Sequence, residues 1–158
     1  MPITIFTDGC SFNEDPRIGG FAAIILYDNQ RDQPVVLKKA FLWTNSGRME
    51  LLAVARSLEF LKKPSIVRLY TDAKNIADNM ALDKLERWRS NNWINRSNKF
   101  VRNKDLWQKI YEMFLFHEEI ITTWIRGHDG IDYNELVNDY ARKESMSFYQ
   151  NYMKLCAK

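Results

Sequence analysis

Residues 3–43, ITIFTDGCSFNEDPRIGGFAAIILYDNQRDQPVVLKKAFLW, hold three apolar runs set apart by turn-rich stretches. β-Branched and aromatic residues fill 3–7 (ITIFT), 20–28 (GFAAIILYD) and 35–43 (VVLKKAFLW), and each run has the length of a strand. Between them, 8–19 are polar and carry Pro16 and Gly19, while DNQRDQP links the second run to the third. Three consecutive strands with short links predict an antiparallel meander. Residues 48–62 then change period. Leu51, Leu52, Val54, Ala55, Leu58 and Leu61 make a wide apolar helical face, and Pro64 stops it. IVRLYT (66–71) reads as a fourth strand, with a helix following from Ala73. Residues 84–104 mix bases, Asn and aromatics with little periodicity and predict a short helix and a loop. LWQKIYEMFLF (106–116) is an amphipathic helix, IITTWI (120–125) a fifth strand, and the tail from about Tyr133 is helical. The order βββαβα(α)αβα predicts an α/β fold, a mixed five-stranded sheet flanked by helices on both faces.

The 158 residues suit one domain spanning 1–158 with a real core, and 46% hydrophobic with 27% charged residues is ordinary globular composition. No apolar run reaches membrane-spanning length, so no membrane is expected as a partner. The start MPITIFTDG reads as the first strand itself, without the charged and apolar regions of a signal peptide. Cys10 and Cys156 show no metal spacing and read as free thiols of a reducing compartment, which predicts a cytoplasmic protein.

The net charge of +3 hides an asymmetry. Residues 84–109 carry eight bases (Lys84, Arg87, Arg89, Arg96, Lys99, Arg102, Lys104, Lys109) against Glu86 and Asp105, so +6, and the rest of the chain is 3 − 6 = −3. Trp88, Trp93, Phe100 and Trp107 interleave with those bases. A charge run is usually a solvated face; a run threaded with aromatics suits contact with a polyanion such as a nucleic-acid backbone.

Three acids stand where a buried scaffold would expose them. Asp8 follows the first strand, Glu50 sits in the first helix, and Asp72 follows the fourth strand. Each has a bland reading. Asp8 and Gly9 make a turn-forming pair, a helical Glu normally faces water, and Asp72 could cap the next helix. Against that, Glu50 has Ala53 and Val54 as its i+3 and i+4 neighbours, a face that looks packed. Acids on core elements need a partner, and a divalent cation is the simplest partner for three that converge.

TDGCS, GRMELL, YTDAKN and GHDGIDYNE, in that order, resemble the motif set of type 1 ribonuclease H over roughly residues 3–145. The resemblance implies that family's sheet, three antiparallel strands followed by two parallel ones. It also implies hydrolysis of the RNA strand of an RNA–DNA hybrid by two metal ions, leaving 5′-phosphate and 3′-hydroxyl ends. One Mg²⁺ would activate water and the other would stabilise the leaving 3′ oxygen, with Mn²⁺ as a possible substitute. Asp8, Glu50 and Asp72 match the family's metal-binding acids. The fourth acid is where the chain departs: ungapped register puts Asn138 at its position, with Asp139 one residue on, a rotation of roughly 100° on a helix. His128 in GHDG matches a mobile histidine thought to aid proton transfer or product release. His117, the other histidine, ends a helix pattern and is expected at the surface. Gly9, Cys10 and Ser11 would offer backbone groups to the substrate, including ribose 2′-hydroxyls. Arg48 reads as a phosphate contact or a helix-surface charge, and Asn134 matches a residue near the site. WRSNNWINRSNKFVRNKDLW resembles the family's basic protrusion (84–104), in which Arg87, Trp88, Arg89, Trp93, Arg96, Lys99 and Arg102 would meet the duplex. A monomer beginning at Met1 is expected, a free-standing protein and not a piece of a reverse transcriptase. Two other readings stay open: a non-catalytic hybrid-binding module, and another nuclease of the same superfamily.

Overall fold

A computed structural model describes residues 1–126 and 132–157. The elements run β1 (Ile3–Ser11), β2 (Ile18–Tyr27), β3 (Val35–Leu42), α1 (Ser46–Phe60), β4 (Ile66–Thr71), α2 (Lys74–Asn79), α3 (Leu82–Ser90), α4 (Lys104–Phe116), β5 (Glu119–Trp124) and α5 (Asp132–Cys156). The sheet order is β3-β2-β1-β4-β5. β1, β2 and β3 pair antiparallel, while β4 and β5 join in parallel, as the reading of the sequence expects.

Side chains alternate across this sheet with the strand period of two. Ile5, Phe21, Ile25 and Leu69 face the larger core, which α1 and α4 complete with Leu51, Val54, Leu58 and Ile110. Phe6, Ala22, Ile24 and Leu26 face the smaller core under α5, with Val137 and Ala141. β2 is buried on both faces, so it reads as an unbroken apolar run instead of an alternating one. Ile5, Ile25 and Leu69 are fully buried, each contributing about 1.5–3 kcal/mol of apolar burial.

Three expectations change. β1 does not stop before Asp8. The polar DGCS stretch stays in the sheet because antiparallel pairing with β2 continues through Asp8↔Ala22, Gly9↔Phe21, Cys10↔Gly20 and Ser11↔Gly19. Parallel pairing with β4 ends earlier, at Thr7↔Thr71. Asp8 and Asp72 therefore lie side by side just past the last rung, on strands about 4.8 Å apart. Second, α2 is capped at Ala73, with no side-chain cap bond, and not at Asp72. Third, His117 is buried. It closes α4 and turns back on α1, where its Nε2 lies 3.0 Å from the Leu58 carbonyl oxygen. That burial comes from helix–helix packing, which a local reading of a helix end does not contain.

Gly9 sets the spacing between β1 and α1. A Cβ there would stand 2.3 Å from the Glu50 backbone nitrogen and 2.5 Å from the Met49 carbonyl carbon. Backbone atoms cannot swing aside, so only glycine lets the first turns of α1 lie against the strand that carries Asp8. Gly9→Ala is expected to lower stability by about 1–3 kcal/mol in urea unfolding, through forced separation of α1 from β1. An unchanged midpoint would show that α1 has room to move.

Candidate active site

The three acids arrive from three directions. β1 supplies Asp8, the end of β4 supplies Asp72, and α1 supplies Glu50 across the gap that Gly9 leaves open. α1 starts cleanly because the Asn45 side chain accepts a 2.9 Å bond from the Arg48 N–H, which satisfies one orphan donor of the first turn. One carboxylate oxygen from each acid lies within 4.8 Å of the others. Asp8 is buried, and Glu50 and Asp72 are partly so.

Such crowding is unfavourable for bare charges. Burial first, and the Asp72 charge second, push Asp8 from 3.8 up to about 7, although the Gly9 N–H donates to its Oδ1 at 2.8 Å and Asn138 hydrogen bonds to it. Burial, then Asp8 and Asp72, push Glu50 from 4.5 up to about 7. A divalent cation would reverse both effects. Six carboxylate oxygens are the donor chemistry that hard cations take, so the residues fit such an ion.

α5 reaches the cluster from the opposite face of the sheet. Asn138 hydrogen bonds to Asp8, whereas Asp139 turns to Arg142, whose Nη2 donates to its Oδ1 at 2.7 Å. The structure thus places Asn138 beside the acids and Asp139 away from them. Asn134, one turn before Asn138, is buried on the same side of α5. His128 lies outside the described residues.

A groove of about 500 Å³ is lined by Ser11, Gly47 and Asn75, each three residues along the chain from one of the acids, and by Trp88, Asn95 and Arg102 of the basic segment. Ser11 Oγ and Ser46 Oγ are 2.9 Å apart at its edge. Asn13, Asn45 and Asn75 also line the groove and went unread in the sequence. Their signal was there: an amide three to five residues from each acid.

Several of the predicted contact residues have partners within the chain. The Gly9 N–H donates to Asp8 Oδ1 at 2.8 Å. The Cys10 thiol faces α5, 3.2 Å from Ser145 Oγ, and burial pushes its pKa up. Arg48 is forked on Asp105 at 3.0 and 2.7 Å and adds a 3.2 Å bond to the Asn103 side chain, so it ties α1 to the start of α4. Trp93 is buried, 6.4 Å from Trp88 and 6.2 Å from Tyr111 between ring centroids, and Trp107 stands 5.3 Å from Trp88. These indoles anchor the 84–104 segment on α4; an aromatic inside a charge run can pack inward as easily as outward. Arg96, Lys99 and Arg102 are exposed and without an ion pair among the described residues, while Arg87 and Arg89 pair loosely with Asp83 and Glu86 at 3.7 and 3.9 Å.

The family model for RNase H matches residues 1–146. The chain belongs to the ribonuclease H family. Ribonuclease H of Trichodesmium erythraeum is 41% identical over 144 residues, 90% of this chain and 88% of that protein. Ribonuclease HI of Synechocystis is 32% identical over 151 residues, 94% of this chain and 88% of that one. Among solved structures, LC9-RNase H1, a type 1 RNase H with the type 2 active-site motif, superposes with a TM-score of 0.77 at 22% identity, covering 92% of this chain and 72% of that one. A foamy viral protease-reverse transcriptase in complex with RNA/DNA hybrid gives a TM-score of 0.77 at 17% identity, over 92% of this chain and 20% of that one. These structural likenesses support the ribonuclease H fold. The acid cluster is compatible with the family's divalent metal site.

The raised acids make a pH prediction for the metal-free protein. Both carboxyls hold protons more tightly folded than unfolded, so the folded state binds more protons between the ordinary carboxylate range and about pH 7. The stability they contribute is present below about pH 4 and is lost as pH rises through 7. Melting of the metal-free protein from pH 5 to 8 is expected to show a falling Tm, flattened by Asp8→Asn and reversed by a divalent cation. A flat profile in the wild-type protein would contradict the crowding described here.

Proposed function

We propose that this ribonuclease H family chain is a divalent-metal-dependent endonuclease that hydrolyses the RNA strand of RNA–DNA hybrids, leaving 5′-phosphate and 3′-hydroxyl ends. The observation that carries the reading is the meeting of Asp8, Glu50 and Asp72 within 4.8 Å. In this reading those acids and Asn138 hold the metal, with Mg²⁺ as the working ion and Mn²⁺ as a substitute. Bound there, divalent ions supply an activated water and charge stabilisation at the leaving oxygen. The chain's own residues do the rest. Asp8, reached from both faces of the sheet, fixes the centre of the site. Asn138 brings an oxygen but no charge, so it weakens one side of the metal binding without removing it. Ser11 and the amides lining the groove meet the sugar edge, where a 2′-hydroxyl distinguishes RNA from DNA. Arg87, Arg89, Arg96, Lys99 and Arg102 on the 84–104 protrusion hold phosphates without reading sequence, and Trp88 forms part of the groove wall behind them. His128 assists proton transfer or product release. The protein works as a single-domain monomer in the cytoplasm; among the described residues no helix is long and apolar enough to cross a membrane.

Cleavage of a hybrid with labelled RNA, run over a series of Mg²⁺ and Mn²⁺ concentrations, tests this. RNA is expected to be cut in the hybrid and spared as a single strand, with Asp8→Asn abolishing the cut. Binding without cleavage in either metal would reduce the chain to a hybrid-binding module, and cleavage of all-DNA duplex would move it to another nuclease class. The register of α5 has its own assay. Asn138→Asp should leave the rate equal or higher, and Asp139→Asn should change it little. Collapse of activity in Asp139→Asn alone would reverse that assignment.

A further inference from the structure

Trp43 is 68% exposed, and its backbone is left-handed at φ 57°. Both facts need a cause. A bulky residue in that region is strained where glycine or asparagine is not, and the chain uses asparagine at three of its other left-handed positions, Asn92, Asn98 and Asn103. Trp93 shares the conformation but is buried against other rings. Trp124, also exposed, donates its Nε1–H to the Asp72 carbonyl at 3.1 Å and has Lys74 Nζ 5.4 Å above its ring. Among the described residues nothing comparable meets the Trp43 indole: no hydrogen bond, ring or cation lies against it. The turn from β3 into α1 therefore carries a side chain that makes the turn harder and leaves a large apolar face in water.

Its position says what could use that face. Ile18↔Leu42 is the last rung between β2 and β3, so Arg17 and Trp43 follow it on facing strands. The Arg17 carbonyl accepts a 3.3 Å bond from the Thr44 N–H, which fixes the two together. Arg17 is exposed and has no ion pair among the described residues. The pair sits at the same end of the sheet as the acids, two residues before groove-lining Asn45. From the Asp8↔Ala22 rung to Ile18 is four residues, about 13 Å along the strand, and β3 lies about 10 Å across from β1. The corner therefore lies roughly 16 Å from the acids at the same end of the sheet, within the span of a duplex seated on them.

Resting on the function proposed above, we infer that Trp43 and Arg17 form a further contact with the hybrid duplex, outside both the acid cluster and the 84–104 protrusion. The indole lies on a sugar face and the guanidinium meets the adjoining phosphate. A sugar–phosphate strand repeats an apolar face beside a negative charge, and this corner presents the complement. A purely apolar partner would leave Arg17 unmatched.

The test separates contact from folding because the two respond in opposite directions to one substitution. Trp43→Gly removes the indole and relieves the left-handed strain, so its Tm should equal or exceed that of the wild-type protein while KM for the hybrid rises about tenfold. Trp43→Phe should recover part of that loss. Arg17→Ala should raise KM and reduce the slope of log affinity against log salt by about one. A Trp43→Gly protein with wild-type KM overturns the inference, as does one whose KM rises only alongside a lowered Tm. If the wild-type protein neither binds nor cuts the hybrid, the proposed function fails and this inference with it. If it cuts the hybrid and Trp43→Gly does so with wild-type KM, this inference alone fails.

Discussion

Carboxylates repel one another, and Asp8, Glu50 and Asp72 stand with oxygens within 4.8 Å at a partly buried end of the sheet. That arrangement is held against its own electrostatics. Two of the three are pushed up to about 7, chiefly by burial. Such a cluster persists because rigid elements over-determine it: two neighbouring strands that end their pairing at one rung, and a helix pressed on the first of them. Gly9 is the joint, since any side chain there collides with the backbone of the turn that carries Glu50. The scaffold spends apolar burial on both faces of β1 and β2 to keep acids where they would otherwise separate, a tension that binding of a cation would release.

Around this centre the molecule divides its work by stiffness. The acids sit on the sheet and on a helix packed to it. The basic segment stands off on α3 and the following turns, yet it is no loose arm. Trp88, Trp93, Trp107 and Tyr111 interlock beneath it, and the Trp93 N–H donates to the Trp88 carbonyl at 2.7 Å. Arg48, forked on Asp105, fastens the helix that carries Glu50 to the helix that carries the segment. The groove between acid cluster and bases is thus bounded by parts locked together, which suits recognition of a duplex by its shape.

Most of the fold was legible because its strands and helices differ in period, and ITIFT, FAAIILY and IVRLYT carry enough β-branched residues to stand out. The acids were legible because they interrupt those patterns. What escaped the reading depends on distant partners. DGCS has no apolar signal, and it is a strand because β2 pairs with it. His117 is buried by the Leu58 carbonyl on a helix 59 residues away in sequence, and Arg48 meets Asp105 across 57. Trp43 read as the end of a strand, and only the backbone angle shows the turn it strains. Asn138 and Asp139 differ by one helical step, and the packing of α5 on β1 and β2 brings the first of them to Asp8.

On the function proposed above, Asp8, Glu50 and Asp72 together hold a divalent cation. Titration of Mn²⁺ into the metal-free protein, followed by electron paramagnetic resonance of the free ion, tests it without any appeal to activity. Saturable binding is expected in the wild-type protein and its loss in Asp8→Asn/Glu50→Gln, with both proteins folded by circular dichroism. Equal uptake of Mn²⁺ by the two proteins would contradict it.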